Sequence, residues 1–262
     1  MLVGEVLAAL DHLAPVSLAE DWDNVGLLVG RHNNAVRRVL VALDLRAEVL
    51  SEAAERGADT ILVHHPPIFP SLTAVTDDAP ASELVLRVAE SRIALIAAHT
   101  NLDSATDGLN DVMADALGVV GAHPLAPVPS DPAVGLGRVG NAPPATLAGL
   151  IARAVETFAP CRTGLAYVGD LDARVERVAV CTGSGASLIG AARGAGADVY
   201  VTGDLKYHDA DRAGGMALVS IPHAAVERHV MRVWSRRLGH ALAPNGVEVV
   251  FADTDTDPWM QL

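Results

Sequence analysis

The chain alternates short runs of branched aliphatic residues with segments in which apolar residues recur at helical spacing. Residues 36–43 are apolar and rich in valine, and residues 48–56 follow with the spacing of an amphipathic helix. Residues 59–63 form a second short apolar run, which is typical of a buried strand. This succession of strand, helix and strand predicts an α/β fold with mostly parallel sheets and helices on their faces.

The same pattern recurs in the second half of the chain. When residue 36 is aligned with residue 175, several residues are identical without a gap, and they include Gly57-Ala58-Asp59, which matches Gly196-Ala197-Asp198. A further echo joins residues 94–96, which precede His99, to residues 217–219, which precede His223. We therefore predict an internal duplication that gives two similar α/β lobes.

Proline-rich stretches between the two copies suggest the domain boundary. Prolines cluster within residues 124–129 and 141–144, and residues 145–158 then show helical periodicity. We predict a first lobe over residues 1–124 and a second over residues 125–262, with a linker at about 121–144. Ligands of such sheets bind beyond the carboxyl ends of parallel strands, so we expect a site in the cleft between the lobes.

Composition and charge narrow the class of protein. The formal net charge of -13 makes nucleic acid an improbable partner, since phosphate backbones require clustered basic residues. Two cysteines, Cys161 and Cys181, are too few for a disulfide framework. The N-terminus lacks the pattern of a signal peptide, and no apolar run reaches the roughly 18 residues that span a bilayer. We expect a soluble, cytoplasmic protein with no membrane association.

Histidines follow two of the predicted strands. His64 and His65 come directly after the apolar run that ends at Val63, and the two prolines that follow turn the chain out of the sheet. Both imidazoles can therefore face one pocket as metal ligands, although a hydrogen-bonded pair at a strand end is the simpler alternative. His99 and Asp103 follow another apolar run, where a loop can direct them to the same cleft.

A third group lies near the end of the second copy. His223 and Glu227 are four residues apart, so on a helix their side chains lie on one face. This spacing suits two metal ligands, although a surface pair on an amphipathic helix is equally common. Two ions about 3.5 to 4 Å apart need shared oxygen ligands, and Asp103 and Glu227 are the natural bridges. Mixed nitrogen and oxygen ligands suit Zn, Fe, Mn, Co or Ni.

Three other segments have weaker signals. Lys206, Tyr207 and His208 follow a strand of the second copy, where they could position an anionic substrate or move protons, or simply lie on the surface. The turn at residues 182–185 could cradle a phosphate group or only provide tight geometry. The polar run at residues 20–26, around Trp22, suggests no chemistry by itself.

Taken together, these motifs resemble the Nif-three-like family, also described as dinuclear metal centre hexameric proteins and as type 2 homologues of GTP cyclohydrolase I. The resemblance rests on residues 20–30, 57–69, 98–111, 175–209 and 223–227. It implies two α/β lobes, a toroidal homohexamer, and two divalent ions per chain. The implied ligands are His64, His65, Asp103, His223 and Glu227.

Two features of the sequence depart from the family pattern, and a third distinguishes its form. Asp204 stands where relatives usually have glutamate, and Pro222 precedes His223 where a small residue is more usual. The span from about residue 121 to residue 144 is too short to hold the inserted domain that some relatives carry.

Two main functional hypotheses remain. The first is a metal-dependent hydrolase related to GTP cyclohydrolase, acting on a small phosphorylated ligand, with His99 and His208 as proton shuttles. The second is a non-enzymatic protein that stores, delivers or senses metal. A protein interaction scaffold is a third class, and the sequence does not choose among them.

Overall fold

The computed structural model describes residues 1–158 and 164–259, and Cys161 lies outside them. The helices are α1 Val3–Leu13, α2 Ala47–Glu55, α3 Pro80–Ser91, α4 Thr100–Ser104, α5 Leu109–Ala116, α6 Leu147–Thr157, α7 Ile189–Gly194 and α8 His223–Leu242. The strands are β1 Gly26–Val29, β2 Arg38–Ala42, β3 Thr60–Val63, β4 Ala94–Ala97, β5 Val120–Val128, β6 Asp131–Thr146, β7 Ala166–Val168, β8 Arg174–Ser184, β9 Val199–Gly203, β10 Ala217–Ser220 and β11 Glu248–Phe251.

The chain divides into two compact units. Unit 1 comprises Met1–Leu102 and Met231–Thr256, and unit 2 comprises Asp103–Val230 and Asp257–Leu262. The first unit ends at Leu102, before the sequence-based boundary at residue 124, and a later part of the chain returns to unit 1, where β11 pairs with β2. No helix in the described part of the chain is both long and apolar enough to cross a bilayer. The cytoplasmic location stays a prediction.

Unit 1 is built on a five-stranded sheet with the order β1-β4-β3-β2-β11. The strands β4, β3, β2 and β11 run parallel to one another, and β1 pairs antiparallel with β4 at the edge. All residues of β3 and β4 are buried, which explains their uninterrupted apolar sequences. Leu40, Ile61 and Leu95 pack in the core of this unit.

Unit 2 is built on a six-stranded sheet with the order β5-β6-β8-β9-β10-β7. Its centre, β8-β9-β10, is parallel, whereas β5, β6 and β7 pair antiparallel with their neighbours. Val139, Ala179 and Tyr200 lie in its buried core. The predicted α/β fold with two sheets is confirmed, with the antiparallel strands concentrated in unit 2.

The two parallel cores share details that fit the predicted duplication. In each copy the aspartate of the Gly-Ala-Asp triplet accepts hydrogen bonds from two consecutive backbone N–H groups near the start of the first parallel strand: Asp59 from Arg37 and Arg38 at 2.8 and 3.2 Å, and Asp198 from Glu176 and Arg177 at 2.9 and 2.8 Å. Each aspartate thus ties together the ends of two adjacent strands. The shared triplet therefore has a structural cause.

The proline-rich stretch predicted as a linker belongs to the second sheet. It falls within β5 and β6, which pair with each other. The strand β5 lies at the edge of the sheet, where a proline without an N–H group is tolerated. At Pro143 and Pro144, the pairing of β6 with β8 shifts register between Asn141 and Ala145, which accommodates the missing donors.

Candidate metal centre

The carboxyl ends of β3 and β4 bring three histidines together in unit 1. These strands are parallel neighbours, with Val63 paired to Ala97, so the residues that follow them emerge side by side. His64 and His65 follow β3, and His99 follows β4 after one further residue. We call these three residues the histidine cluster.

The rings of the histidine cluster lie close enough to bind one ion. The ring centroids are 5.1 Å apart for His64 and His65, 5.1 Å for His64 and His99, and 5.7 Å for His65 and His99. One nitrogen from each ring lies within 4.8 Å of the others. His64 is fully buried, whereas the side chains of His65 and His99 are 28% and 19% exposed, so the cluster opens to solvent on their side.

Each histidine of the cluster is oriented by an oxygen atom at Nδ1. His64 Nδ1 lies 2.8 Å from the carbonyl oxygen of Ala98, His65 Nδ1 lies 2.8 Å from Asp44 Oδ1, and His99 Nδ1 lies 2.9 Å from Asp23 Oδ1. A carbonyl or carboxylate at Nδ1 favours the proton on that nitrogen, so the lone pair of the neutral ring lies on Nε2. This is the usual arrangement of metal-binding histidines, whose second nitrogen donates to an oxygen.

The two aspartates that orient these rings remain ionised. Burial opposes ionisation of Asp44, but its hydrogen bonds with His65 and Thr256 outweigh burial and hold the pKa of its carboxyl below the usual range. Burial likewise opposes ionisation of Asp23, but its contacts with His99 and Thr100 outweigh burial and hold the pKa of its carboxyl well below the usual range. Two fixed negative charges therefore stand behind the histidine cluster, which favours a cation in front of it.

In unit 2, His223 lies between two carboxylates. Its Nδ1 is 2.7 Å from Asp204 Oδ2, and its Nε2 is 2.8 Å from Glu227 Oε2. Burial of the ring would lower the pKa of His223, but Glu227 and Asp204 outweigh it and raise that pKa to about 11. The environment of this imidazole therefore selects for positive charge, which either a proton or a metal ion can supply.

Asp103 is fixed in unit 2 by a buried network. Thr182 Oγ1 donates to Asp103 Oδ1 at 2.9 Å, and Asn110 Nδ2 donates to the Asp103 carbonyl oxygen at 3.0 Å. Asn110 Oδ1 also accepts the Thr182 N–H at 2.9 Å, which closes the network. Asp103 is only 8% exposed, so its carboxylate is largely shielded from solvent within this network.

Two glycines make room for His223 and Glu227. An added Cβ at Gly183 would lie 2.6 Å from Glu227 Oε1 and 3.6 Å from His223 Nε2. An added Cβ at Gly203 would lie 3.3 Å from His223 Cβ. A Cβ at Gly183 would therefore collide with Glu227, and a Cβ at Gly203 would press tightly against His223.

Comparison with known proteins identifies the family. The sequence model of the Duf34/NIF3 (NGG1p interacting factor 3) family matches residues 1–258. The chain belongs to this family. A Streptomyces coelicolor protein named GTP cyclohydrolase 1 type 2 homolog is 38% identical over 98% of this chain and 93% of its own length. A Clostridium perfringens protein of the same name is 32% identical over 99% of both chains.

A solved structure supports the same assignment to the NIF3 family. A Bacillus cereus protein described as related to NIF3 has a TM-score of 0.92 and 25% identity, covering 100% of this chain and 99% of that one. The resemblance inferred from the sequence motifs is therefore confirmed. The fold of the whole described chain is that of its NIF3 relatives.

The donor atoms of this NIF3 protein fit divalent transition metals. Imidazole nitrogens and carboxylate oxygens predominate in both units, which suits Zn, Fe, Mn, Co or Ni better than a hard ion that prefers oxygen alone. The buried Cys181 supplies no thiolate, because burial and the nearby Asp103 raise the pKa of its thiol to about 12. The structure therefore has His and Glu side chains that can bind metal.

The two predicted proton shuttles, His99 and His208, lie in different surroundings. His99, predicted as a proton shuttle, joins His64 and His65 in one cluster. His208 is 88% exposed at its side chain and lies 3.9 Å from Asp211, next to the Tyr207 ring. The catalytic roles of His99 and His208 stay predictions.

Two N–H groups of the turn at residues 182–185 are already engaged within the protein, so they do not face a phosphate group. The Thr182 N–H donates to Asn110 Oδ1, and the Gly185 N–H donates to Thr202 Oγ1 at 3.0 Å. Both bonds are buried. In this structure the turn serves to position Thr182 and Gly183 beside the predicted ligands.

Sequence reasoning missed the aspartates that orient the histidines. Asp44 was not singled out, and Asp23 was noted only within a polar run. Asp23 lies shortly before β1. Asp44 lies just beyond the end of β2, which is the parallel neighbour of β3. An acidic residue directly after a parallel strand that adjoins a histidine-bearing strand was the available signal.

Proposed function

We propose that this protein binds two divalent transition-metal ions and acts as a metal-dependent hydrolase. The proposed ligands are His64, His65, Asp103, His223 and Glu227. The observation that carries the proposal is the histidine cluster, in which three rings converge and each has its Nδ1 fixed by an oxygen atom. Such ions lower the pKa of bound water and polarise the bond to be cleaved.

The protein's own side chains would bind the ions, orient the ligands and exchange protons. Asp44 and the Ala98 carbonyl fix the rings of His65 and His64, and Thr182 fixes the carboxylate of Asp103. His99 is the proposed proton shuttle of unit 1, because Asp23 anchors its Nδ1 and its ring is partly exposed. An anchored, partly exposed imidazole can pass protons between a bound substrate and solvent. His208 is the second proposed shuttle.

The relatives named GTP cyclohydrolase 1 type 2 homolog make GTP the first substrate to test. The experiment is elemental analysis of protein purified without added metal, followed by GTP turnover assays on the same material. We expect two ions per chain. His64→Ala should lose metal and turnover, whereas His12→Ala, at an exposed histidine in α1, should keep both. Equal metal content in the two variants would contradict the proposal.

Metal storage, delivery or sensing is the alternative function, and the partial exposure of His65 and His99 favours it. An ion at exposed ligands exchanges with solvent more readily than an ion at a closed site. This alternative predicts reversible metal exchange with no turnover of GTP or other phosphorylated ligands. Turnover that depends on metal would exclude it as the sole function.

We further propose self-association as a toroidal homohexamer, which rests on the resemblance to the NIF3 family. The mass of the protein in solution tests this directly. A mass of six chains is expected, and a monomer at micromolar concentration would contradict it.

A further inference from the structure

Two exposed aromatic rings lie beside the histidine cluster. Trp22 and Phe69 are each 55% exposed, and their ring centroids are 5.7 Å apart in an edge-to-face arrangement. The Trp22 ring also lies 5.9 Å from the ring of His99. The chain has three Trp, three Tyr and three Phe, so aromatic side chains are rare in it. Two of them are nevertheless placed on the surface at the candidate metal centre.

The loops that carry these rings are fixed by hydrogen bonds. Asp23, next to Trp22, binds His99 Nδ1 at 2.9 Å and accepts the Thr100 N–H at 3.0 Å. Asn24 Nδ2 donates to the carbonyl oxygen of Ile68 at 2.8 Å, which joins the Trp22 loop to the Phe69 loop. The two rings are therefore held in place relative to the cluster by the same contacts that orient His99.

A rigid pair of exposed aromatic rings is suited to binding a planar ring. Aromatic rings prefer offset-stacked or edge-to-face contacts at centroid distances of about 4.5 to 7 Å, and the Trp22 and Phe69 pair already has one such contact. Their exposed faces would lose contact with water on binding a flat ligand. Because the loops are already fixed, little ordering is required when the ligand binds.

We propose that Trp22 and Phe69 form the wall that receives an aromatic ring of the substrate, while an anionic group on the same molecule reaches the metal. This inference rests on the proposed function and names its substrate class: a small molecule that joins a planar ring to a phosphate or similar metal-binding group. Trp22 is the specificity-determining residue, since it contacts both Phe69 and His99.

The test compares triphosphates with and without a nucleoside. GTP, ATP and UTP are the probes that carry an aromatic base, and inorganic triphosphate is the probe without one. Affinities are measured by calorimetry on metal-loaded protein whose metal content has been determined. Stacking of a base on an aromatic side chain changes affinity by about 5- to 150-fold, so we expect the nucleotides to bind at least roughly tenfold more tightly than triphosphate.

Substitution of Trp22 separates the role of the ring from that of the metal. In Trp22→Ala, the preference for nucleotides should fall to within about twofold, with triphosphate affinity and metal content unchanged. Trp22→Phe should keep most of the preference. Trp259→Ala, at a tryptophan that is 70% exposed, is the matched control and should behave as the parent protein.

Fluorescence locates the ring. The three tryptophans are Trp22, Trp234 and Trp259, and Trp234 is only 1% exposed. In Trp259→Phe, Trp22 is thus the exposed tryptophan, and nucleotides but not triphosphate should quench its emission.

Several results would overturn the inference. An unchanged nucleotide preference in Trp22→Ala, equal affinity for all probes, or binding of none of them would each do so. A loss of self-association in Trp22→Ala without a change in the preference would show that the aromatic pair is a protein interface instead. The proposed function fails separately, on a metal content of zero in the parent protein.

Discussion

Replacing Gly183 with alanine would place a methyl group against the proposed ligand Glu227. The added Cβ would lie 2.6 Å from Glu227 Oε1, a distance that carbon and oxygen atoms do not adopt without a bond. Because Glu227 is 2% exposed, its carboxylate has little room to retreat. We expect a displacement of about 0.5 Å or more, which exceeds the tolerance of a metal site.

The substitution also strains the backbone, and the same substitution at a second glycine measures that strain alone. Gly183 has a φ of +64° and Gly196 has a φ of +71°, and both lie in unit 2. Nothing lies within 4 Å of a Cβ added at Gly196. A residue other than glycine in this left-handed conformation costs about 1–2 kcal/mol of folding free energy. Gly196→Ala should therefore show the strain alone, and Gly183→Ala the strain plus the displacement of Glu227.

The assay has two parts. Urea unfolding in a chelator should show a loss of about 1–2 kcal/mol for Gly196→Ala and a larger loss for Gly183→Ala. Metal affinity, measured by competition with a chromophoric chelator, should fall about 10- to 100-fold in Gly183→Ala, as it does when the support of a ligand is lost. Gly196→Ala should bind metal as the parent protein does. Equal metal affinity in the two variants would refute the assignment of Glu227 as a ligand.

Three further substitutions test other contacts. Asp44→Asn should weaken metal binding about 10-fold or more by removing the charge that orients His65, and calorimetry with unchanged affinity would contradict this. Burial would raise the pKa of Glu52, but hydrogen bonds from Thr254 and Asp253 outweigh it and lower that pKa from 4.5 to about 2. The ionised form therefore stabilises the fold above pH 4.5, and this contribution is lost as the pH falls toward 2. Glu52→Gln should therefore cost about 2 kcal/mol at pH 7 and much less at pH 2.5 in urea unfolding. Arg138→Met should cost about 3–5 kcal/mol, because it leaves the partly buried carboxylate of Asp111 without its cation, and a loss below 1 kcal/mol would contradict that role.

The parallel cores were predictable because their cause is local in the sequence. Uninterrupted apolar runs mark strands that are buried on both faces, and β3 and β9 follow the same triplet in both copies. The histidines at the end of β3 were also predictable, since residues directly after a buried parallel strand lie at the carboxyl ends of the strands, where ligands bind.

The strands β5 and β6 were not predictable in the same way. Pro124, Pro127 and Pro129 indicate a loop when only the sequence is considered, because proline cannot donate to a ladder. The structure tolerates two of them in an edge strand, whose unpaired side needs no donor, while Pro129 lies in the turn that follows. Edge position depends on the order of strands in the sheet, which is a tertiary property. The return of the C-terminal segment to unit 1 through β11 has the same origin.

The partners of the histidines illustrate a further limit. Asp23 and His99 are separated by 76 residues, and Asp44 and His65 by 21 residues. No local pattern joins such pairs, so the sequence reveals the rings but not the oxygen atoms that orient them.

The two aspartates that join adjacent strands in the two copies, Asp59 and Asp198, bear on how such proteins diverge. Asp59 and Asp198 both bind backbone N–H groups at the amino ends of the strands, whereas the histidines and acidic residues of the candidate site emerge at the carboxyl ends. At the carboxyl end of the second strand, one copy carries His64 and His65, and the other carries Gly203 and Asp204 at the aligned positions. A single ancestral frame could thus acquire imidazoles in one half and acidic groups in the other, with no change to the bonds that shape it.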